Sequence, residues 1–136
     1  MSKRIQASKP KQGSVVKSQE PANYDSHPPI FSLERLQHGK YCLSNLDQEH
    51  KAMFAEAIFR RKSIPWNEIK KLGKHALGTE KIAKSSIKAA IPNFITDDVN
   101  DFLVFRYKGL NPMVGYRQKN VFFVLWFDHD FTLYDH

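Results

Sequence analysis

Seven residues toward the end of the chain are of the types that acid–base work on a phosphodiester needs: Arg106, Tyr107, Arg117, Lys119, His129, Tyr134 and His136. Cleaving RNA through its own 2′-hydroxyl requires a base for that hydroxyl, cations for the charge on the phosphorane and an acid for the departing oxygen. Histidine, arginine or lysine, and tyrosine supply all three without a metal. The inventory is sufficient for that chemistry but does not by itself single out a catalytic set. The two arginines could equally sit in ion pairs with Asp97, Asp98, Asp101, Asp128 or Asp130, and both alternatives stay open at this point. No phosphate-binding Gly-rich loop, dinucleotide fingerprint, His-Glu-x-x-His or Gly-x-Ser-x-Gly is present, so nucleotide binding, zinc peptidase and serine hydrolase chemistry lack a motif. The six histidines show no metal-ligand spacing, and His38 with Cys42 is a lone pair; neither a metal nor a cofactor is expected.

Such residues need elements to hold them. Residues 1–28 are rich in Lys, Ser, Gln and Pro and almost without large apolar side chains, which predicts a disordered basic tail ahead of a single domain at 29–136. Partial alternation from Ile30 to Leu36 fits a first strand or short hairpin. Ser44 is a plausible N-cap for a helix in which Leu46, Met53, Phe54, Ala57 and Ile58 recur at helical spacing as far as Arg61. Ser63-Ile64-Pro65 ends that helix and opens another, with Trp66, Ile69 and Leu72 on one face and Gly73 as its stop. The pair reads as an αα-hairpin. Its exposed faces would carry Arg60, Arg61, Lys62, Lys70, Lys71 and Lys74, and with Lys119 these are the candidate RNA-binding residues.

Residues 78–91 fit neither period cleanly, with a slight leaning to strand. Beyond Asp101, strand signals dominate: Phe102–Tyr107, Met113–Arg117, Val121–Phe127 and Phe131–Tyr134, joined by short turn-like connectors. This spacing predicts an antiparallel β-meander, with the very apolar Val121–Leu125 as its central strand. The fold class is therefore α+β: an N-terminal strand, an αα-hairpin and a meander on which the hairpin packs.

The 136 residues are 41% apolar and 12% aromatic, enough large side-chain area for one core without metal or disulfide. A single cysteine, Cys42, excludes an intrachain disulfide and points to a reducing compartment. No apolar run approaches the length of about 18 residues that spans a bilayer, so no membrane association and a cytoplasmic location are expected. The net charge of +7 and pI near 9.5 favour a polyanionic partner. Residues 29–92 hold twelve Lys/Arg against six acids, whereas residues 93–136 hold four against six, so a phosphate site must draw on the helical middle.

The order of these elements, with Met113-Val114-Gly115-Tyr116-Arg117, then Val121-Phe122-Phe123-Val124-Leu125-Trp126, then the terminal Tyr134-Asp135-His136, resembles the RelE/ParE superfamily of small bacterial toxins. The match in element order covers roughly residues 30–136, and residue-level similarity only the last forty or so. Arg117 corresponds best to the family's strand arginine and Tyr134 and His136 to its C-terminal pair, with Arg106 a looser candidate, and the resemblance makes these four the catalytic candidates. The resemblance implies a RelE-like fold and, as in ribosome-dependent members, metal-independent endoribonuclease action on mRNA in the ribosomal A site. It also implies neutralisation by a small antitoxin protein. Other members act on gyrase instead, and the acidic run Asp128-His129-Asp130 departs from a very basic toxin surface. Two readings follow: an RNA-cleaving toxin-like enzyme, and a non-catalytic module of similar fold that docks on nucleic acid, a ribosome or an acidic protein.

Overall fold

A computed structural model describes residues 23–136; residues 1–22, most of the expected basic tail, lie outside the described residues. The chain is α+β, with one five-stranded mixed sheet and little helix. Strands β2 (Thr79–Ala83), β3 (Asp101–Lys108), β4 (Asn111–Gln118) and β5 (Val121–Phe127) form an antiparallel meander, and β1 (Ile30–Ser32) adds to β5 in parallel. The sheet order is β1-β5-β4-β3-β2. The middle position thus belongs to β4, and the apolar β5 lies between it and β1.

Two tight turns fix the meander. Gly109-Leu110 joins β3 to β4 with Gly109 at φ +55°, a conformation that the first central position of a type II′ turn needs and that only glycine adopts without cost. Lys119-Asn120 joins β4 to β5 with Lys119 at φ +59°, where a side chain is under strain. Two irregularities then set which residues share a face. The β3–β4 register shifts at Tyr107, between the pairs Arg106–Pro112 and Lys108–Asn111. The β4–β5 register shifts at Leu125, between Val114–Trp126 and Gly115–Val124. Strand backbone approaches so closely there that a Cβ on Gly115 would lie 1.8 Å from the Phe123 carbonyl oxygen.

On one face of the sheet lies the helix α1 (Gln48–Arg60). It opens at Asp47 and not at Ser44, because residues 43–45 are drawn into a 3₁₀ turn while Asp47 Oδ1 accepts the His50 N–H at 2.8 Å. The second helical element, α2 (Trp66–Ile69), is a single turn. Phe54, Ala57, Trp66 and Ile69 pack there on Phe105, Tyr107, Met113, Phe122, Val124 and Phe127. The opposite face carries a second cluster, with Phe102, Val104, Val114, Leu125 and Trp126 under Ile95, Leu133 and Tyr134. Residues 131–134 are not a strand. Asp128 Oδ1 takes the backbone N–H groups of Thr132 (2.8 Å) and Leu133 (3.2 Å), which closes this segment into a loop over the second cluster.

The stretch 23–28, read from sequence as part of the tail, is tied to the domain: the Trp66 N–H donates to the His27 carbonyl at 3.0 Å and Asp25 pairs with two cations described below. No helix among the described residues is long and apolar enough to cross a membrane.

Trp126 is 2% exposed and meets Phe102 edge-on at 5.4 Å between centroids. Its replacement by Ala should cost about 3 to 5 kcal/mol, since the rigid sheet cannot close the cavity left by an indole. Denaturant unfolding checks this, and a midpoint close to wild type would contradict the packing described.

Candidate functional site

In β3, Phe105 and Tyr107 face the helices while Phe102, Val104 and Arg106 face away. The C-terminal loop returns over that second face. Asp128, fully buried, anchors the loop, and the Lys88 N–H bonds the Leu133 carbonyl at 2.8 Å. Tyr134 is thereby laid beside Arg106, whose Nη1 donates to the phenol oxygen at 3.3 Å. The His136 ring lies 4.1 Å from that of Tyr134, and its Nε2 is 2.8 Å from Asp128 Oδ2. Arg106 also pairs with Glu80, whose carboxylate is shared with Lys74 at 3.6 Å. Arg106, Tyr134 and His136 are thus brought together, with Glu80 and Asp128 as their carboxylate partners.

The chemistry open to this cluster follows from its orientation. With Nε2–H given to Asp128, Nδ1 of His136 keeps its lone pair and can take a proton, as in other His–carboxylate pairs. Burial raises the pKa of Tyr134 above the ordinary phenol value against the opposing pull of Arg106, so it stays a neutral O–H donor at physiological pH. Arg106 supplies the cation, partly balanced by Glu80.

Arg117 is not in this cluster. It projects from β4 toward the helices, its guanidinium 4.2 Å from the Trp66 ring centroid, with Nη2 2.5 Å from Asp25 Oδ1. Lys70 Nζ is 2.7 Å from the other Asp25 oxygen. Arg117 Nε donates to the carbonyl of Lys119, so Lys119 stands at the same end of the sheet. A cleft of about 630 Å³ opens here, lined by Trp66, Lys70, Lys81, Leu103, Tyr116 and Arg117 among others.

The remaining candidate RNA-binding residues differ in how free they are. Arg60 pairs with Glu56 at 3.7 Å, Lys71 with Glu68 at 3.9 Å, and Lys62 lies over the exposed Phe59 ring at 4.5 Å. Arg61 is 1% exposed and donates to the carbonyls of Ala57, Leu77 and Arg106 while stacking on Phe105. Burial, reinforced by the charge of Arg60, lowers its pKa to about 10. A phosphate would have to take those N–H groups from three carbonyls, so Arg61 holds α1, the 73–78 loop and β3 together.

Asp25 and Glu80 escape sequence reasoning, and Asp128, named there only as a possible arginine partner, bonds His136 instead. Asp128 had a local signal, being an Asp at the end of a strand and a few residues before backbone N–H groups it could cap. Asp25 and Glu80 meet their cations only through tertiary folding. Among the described residues, no group of three or more His, Cys, Asp or Glu is placed to hold a metal ion. No family model, curated protein or solved structure matches this chain.

Burial also raises the pKa of Tyr107, whose hydroxyl has no partner among the described residues, so Tyr107 and Tyr134 should be the last described tyrosines to ionise. For an acid whose folded pKa exceeds its unfolded value near 10, stability is full below that value and falls as pH rises through it toward the folded pKa. An absorbance titration of wild type against Tyr134→Phe checks this: the ionisation missing from the variant should lie above pH 10. A missing step at or below pH 10 would contradict the buried, neutral phenol.

Proposed function

We propose that this chain is an RNA-directed, toxin-like protein of RelE/ParE type that cleaves RNA without a metal. The observation that carries the reading is the convergence of Arg106, Tyr134 and His136 on the helix-free face, with Arg106 donating to Tyr134 and His136 held by the buried Asp128. The order of a strand, a helix, a single helical turn and a four-stranded meander supports the RelE-like assignment. In this mechanism His136 Nδ1 takes the proton of a ribose 2′-hydroxyl as its oxygen bonds to the adjacent phosphorus. Arg106 stabilises the negative charge that develops on the phosphorane oxygens. The bond to the 5′-oxygen then breaks, and Tyr134 or the protonated imidazole supplies the proton that oxygen takes up. The products are a 2′,3′-cyclic phosphate and a 5′-hydroxyl. Arg117 binds substrate at a distance in this account and does not act at the scissile phosphate. On the same reading the substrate is cytoplasmic mRNA on the ribosome, and a small antitoxin protein covers the cluster.

A second reading has its own support. Arg117 and Lys70 lie on the helical face, away from the cluster, and Arg106 is neutralised in part by Glu80. This separation favours a module that binds RNA or a ribosome without cutting it.

Single substitutions Arg106→Ala, Tyr134→Phe and His136→Ala should each lower the cleavage rate by about 10²-fold or more while leaving a folded chain. Wild-type cleavage of a purified RNA should persist in EDTA. A folded triple variant that cuts RNA at the wild-type rate would end the catalytic assignment. Salt-sensitive RNA binding without cleavage by the wild type would establish the binding module.

A further inference from the structure

We infer that Lys70 and Arg117 form a second, non-catalytic phosphate seat on the helical face, which Asp25 occupies in cis and which a phosphodiester of single-stranded RNA takes by displacing the Asp25 side chain. The seat is a fork. Asp25 presents its two oxygens separately, Oδ2 to Lys70 Nζ at 2.7 Å and Oδ1 to Arg117 Nη2 at 2.5 Å. Two non-bridging phosphate oxygens would meet an ammonium and a guanidinium in the same manner, and the planar guanidinium favours such a pair. The position of Arg117 is built and not incidental. Its guanidinium is clamped between the Trp66 ring at 4.2 Å and its own Nε–H bond to the Lys119 carbonyl at 2.6 Å, and the side chain is 21% exposed.

The surroundings favour an anion longer than one carboxylate. Lys81 lines the adjoining cleft and Lys119 flanks Arg117; neither forms a salt bridge with a carboxylate among the described residues. Lys70, Lys81 and Arg117 line the opening with Asp101 and Glu80, and Lys119 stands beside Arg117. The cleft behind them, at about 630 Å³, has the volume of small-ligand sites and carries the partly exposed Leu103 and Tyr116, surfaces on which a nucleobase can rest.

Displacing Asp25 asks little of the fold. Its side chain is 40% exposed and bears no buried packing, whereas the backbone around it is held independently by the Trp66 N–H to His27 carbonyl bond. The hydrogen bonds from Lys70 and Arg117 hold the Asp25 carboxyl below its ordinary pKa. Asp25 is therefore a charged competitor throughout the neutral range. The inference stands apart from catalysis at Arg106, because binding here needs no cleavage.

The test uses the full chain, a fluorescein-labelled single-stranded oligouridine and, separately, inorganic phosphate. Asp25→Asn should tighten oligonucleotide binding by about 5- to 10-fold, in the range of a single charge-assisted contact. Lys70→Ala should weaken it and flatten its salt dependence by roughly one unit of slope per lost phosphate contact. Lys51→Ala, an exposed cation on α1 outside the seat, should leave the affinity within about twofold. In ¹⁵N-resolved NMR spectra the Trp66 indole N–H, beneath Arg117, should shift on titration while that of Trp126, on the other face, should not. Asp25→Asn binding no tighter than wild type, or a shift at Trp126 alone, would overturn the proposal. Tightened binding of inorganic phosphate without tightened binding of the oligonucleotide would overturn the assignment to RNA. Cleavage plays no part in these readouts, so a catalytically silent protein can still pass or fail them.

Discussion

The carboxylate of Asp128 is the interaction on which the rest of the candidate site depends. It is fully buried, and a buried charge is tolerable only when hydrogen bonds replace its water. Here they come from the Thr132 and Leu133 N–H groups and from His136, while the Asp128 backbone is fixed to Pro112 and Asn111 of β4. Because those donors lie four to eight residues further on, satisfying this charge forces the chain end to curl back over the sheet. The loop carries Leu133 into the second cluster and Tyr134 to Arg106. A residue whose charge opposes an approaching phosphate thus positions the groups that the proposed reaction would use.

The sheet divides the positive charge into two populations with different roles. On the helical face Arg61 is buried against carbonyl oxygens and an aromatic ring, which makes it a structural tie. Lys70 and Arg117, on the same face, share a carboxylate that is itself accessible to solvent. The opposite face keeps Arg106, beside Tyr134 and Glu80, and Arg35, which lies over the rings of Phe94, Tyr116 and Phe123. Net charge alone overstates how much of this surface is free to meet a polyanion, because Asp25, Glu56, Glu68 and Glu80 each hold one or more of the cations in question.

Much of the fold is legible in local pattern. The three long strands follow from runs of aromatic and β-branched residues between short turns, and α1 from its apolar period. What local pattern misses has identifiable causes. Phe131–Tyr134 has strand composition, yet Asp128 captures its N–H groups before a neighbour can. Asp47 and Ser44 are both good caps, and only the 3₁₀ turn at Leu43–Asn45 decides between them. The separation of Arg106 from Arg117 comes from one extra residue. A two-residue turn at Gly109-Leu110 with unbroken pairing would set Arg106 opposite Met113, on the face shared with Arg117; the bulge at Tyr107 pairs it with Pro112 instead and turns it to the other side. Asp25 was hidden for a different reason, since its segment is polar apart from Tyr24 and Pro28 and has no helix or strand period to signal that it is held.

The central claim is that Arg106, Tyr134 and His136 cleave RNA by internal attack of the 2′-hydroxyl. The ends of the product report on it most directly. Incubating a defined RNA, free or on ribosomes, with the purified chain and mapping the new termini should give 2′,3′-cyclic phosphate and 5′-hydroxyl ends. New 3′-hydroxyl and 5′-phosphate ends would require attack by water in place of the ribose oxygen, and would contradict the account.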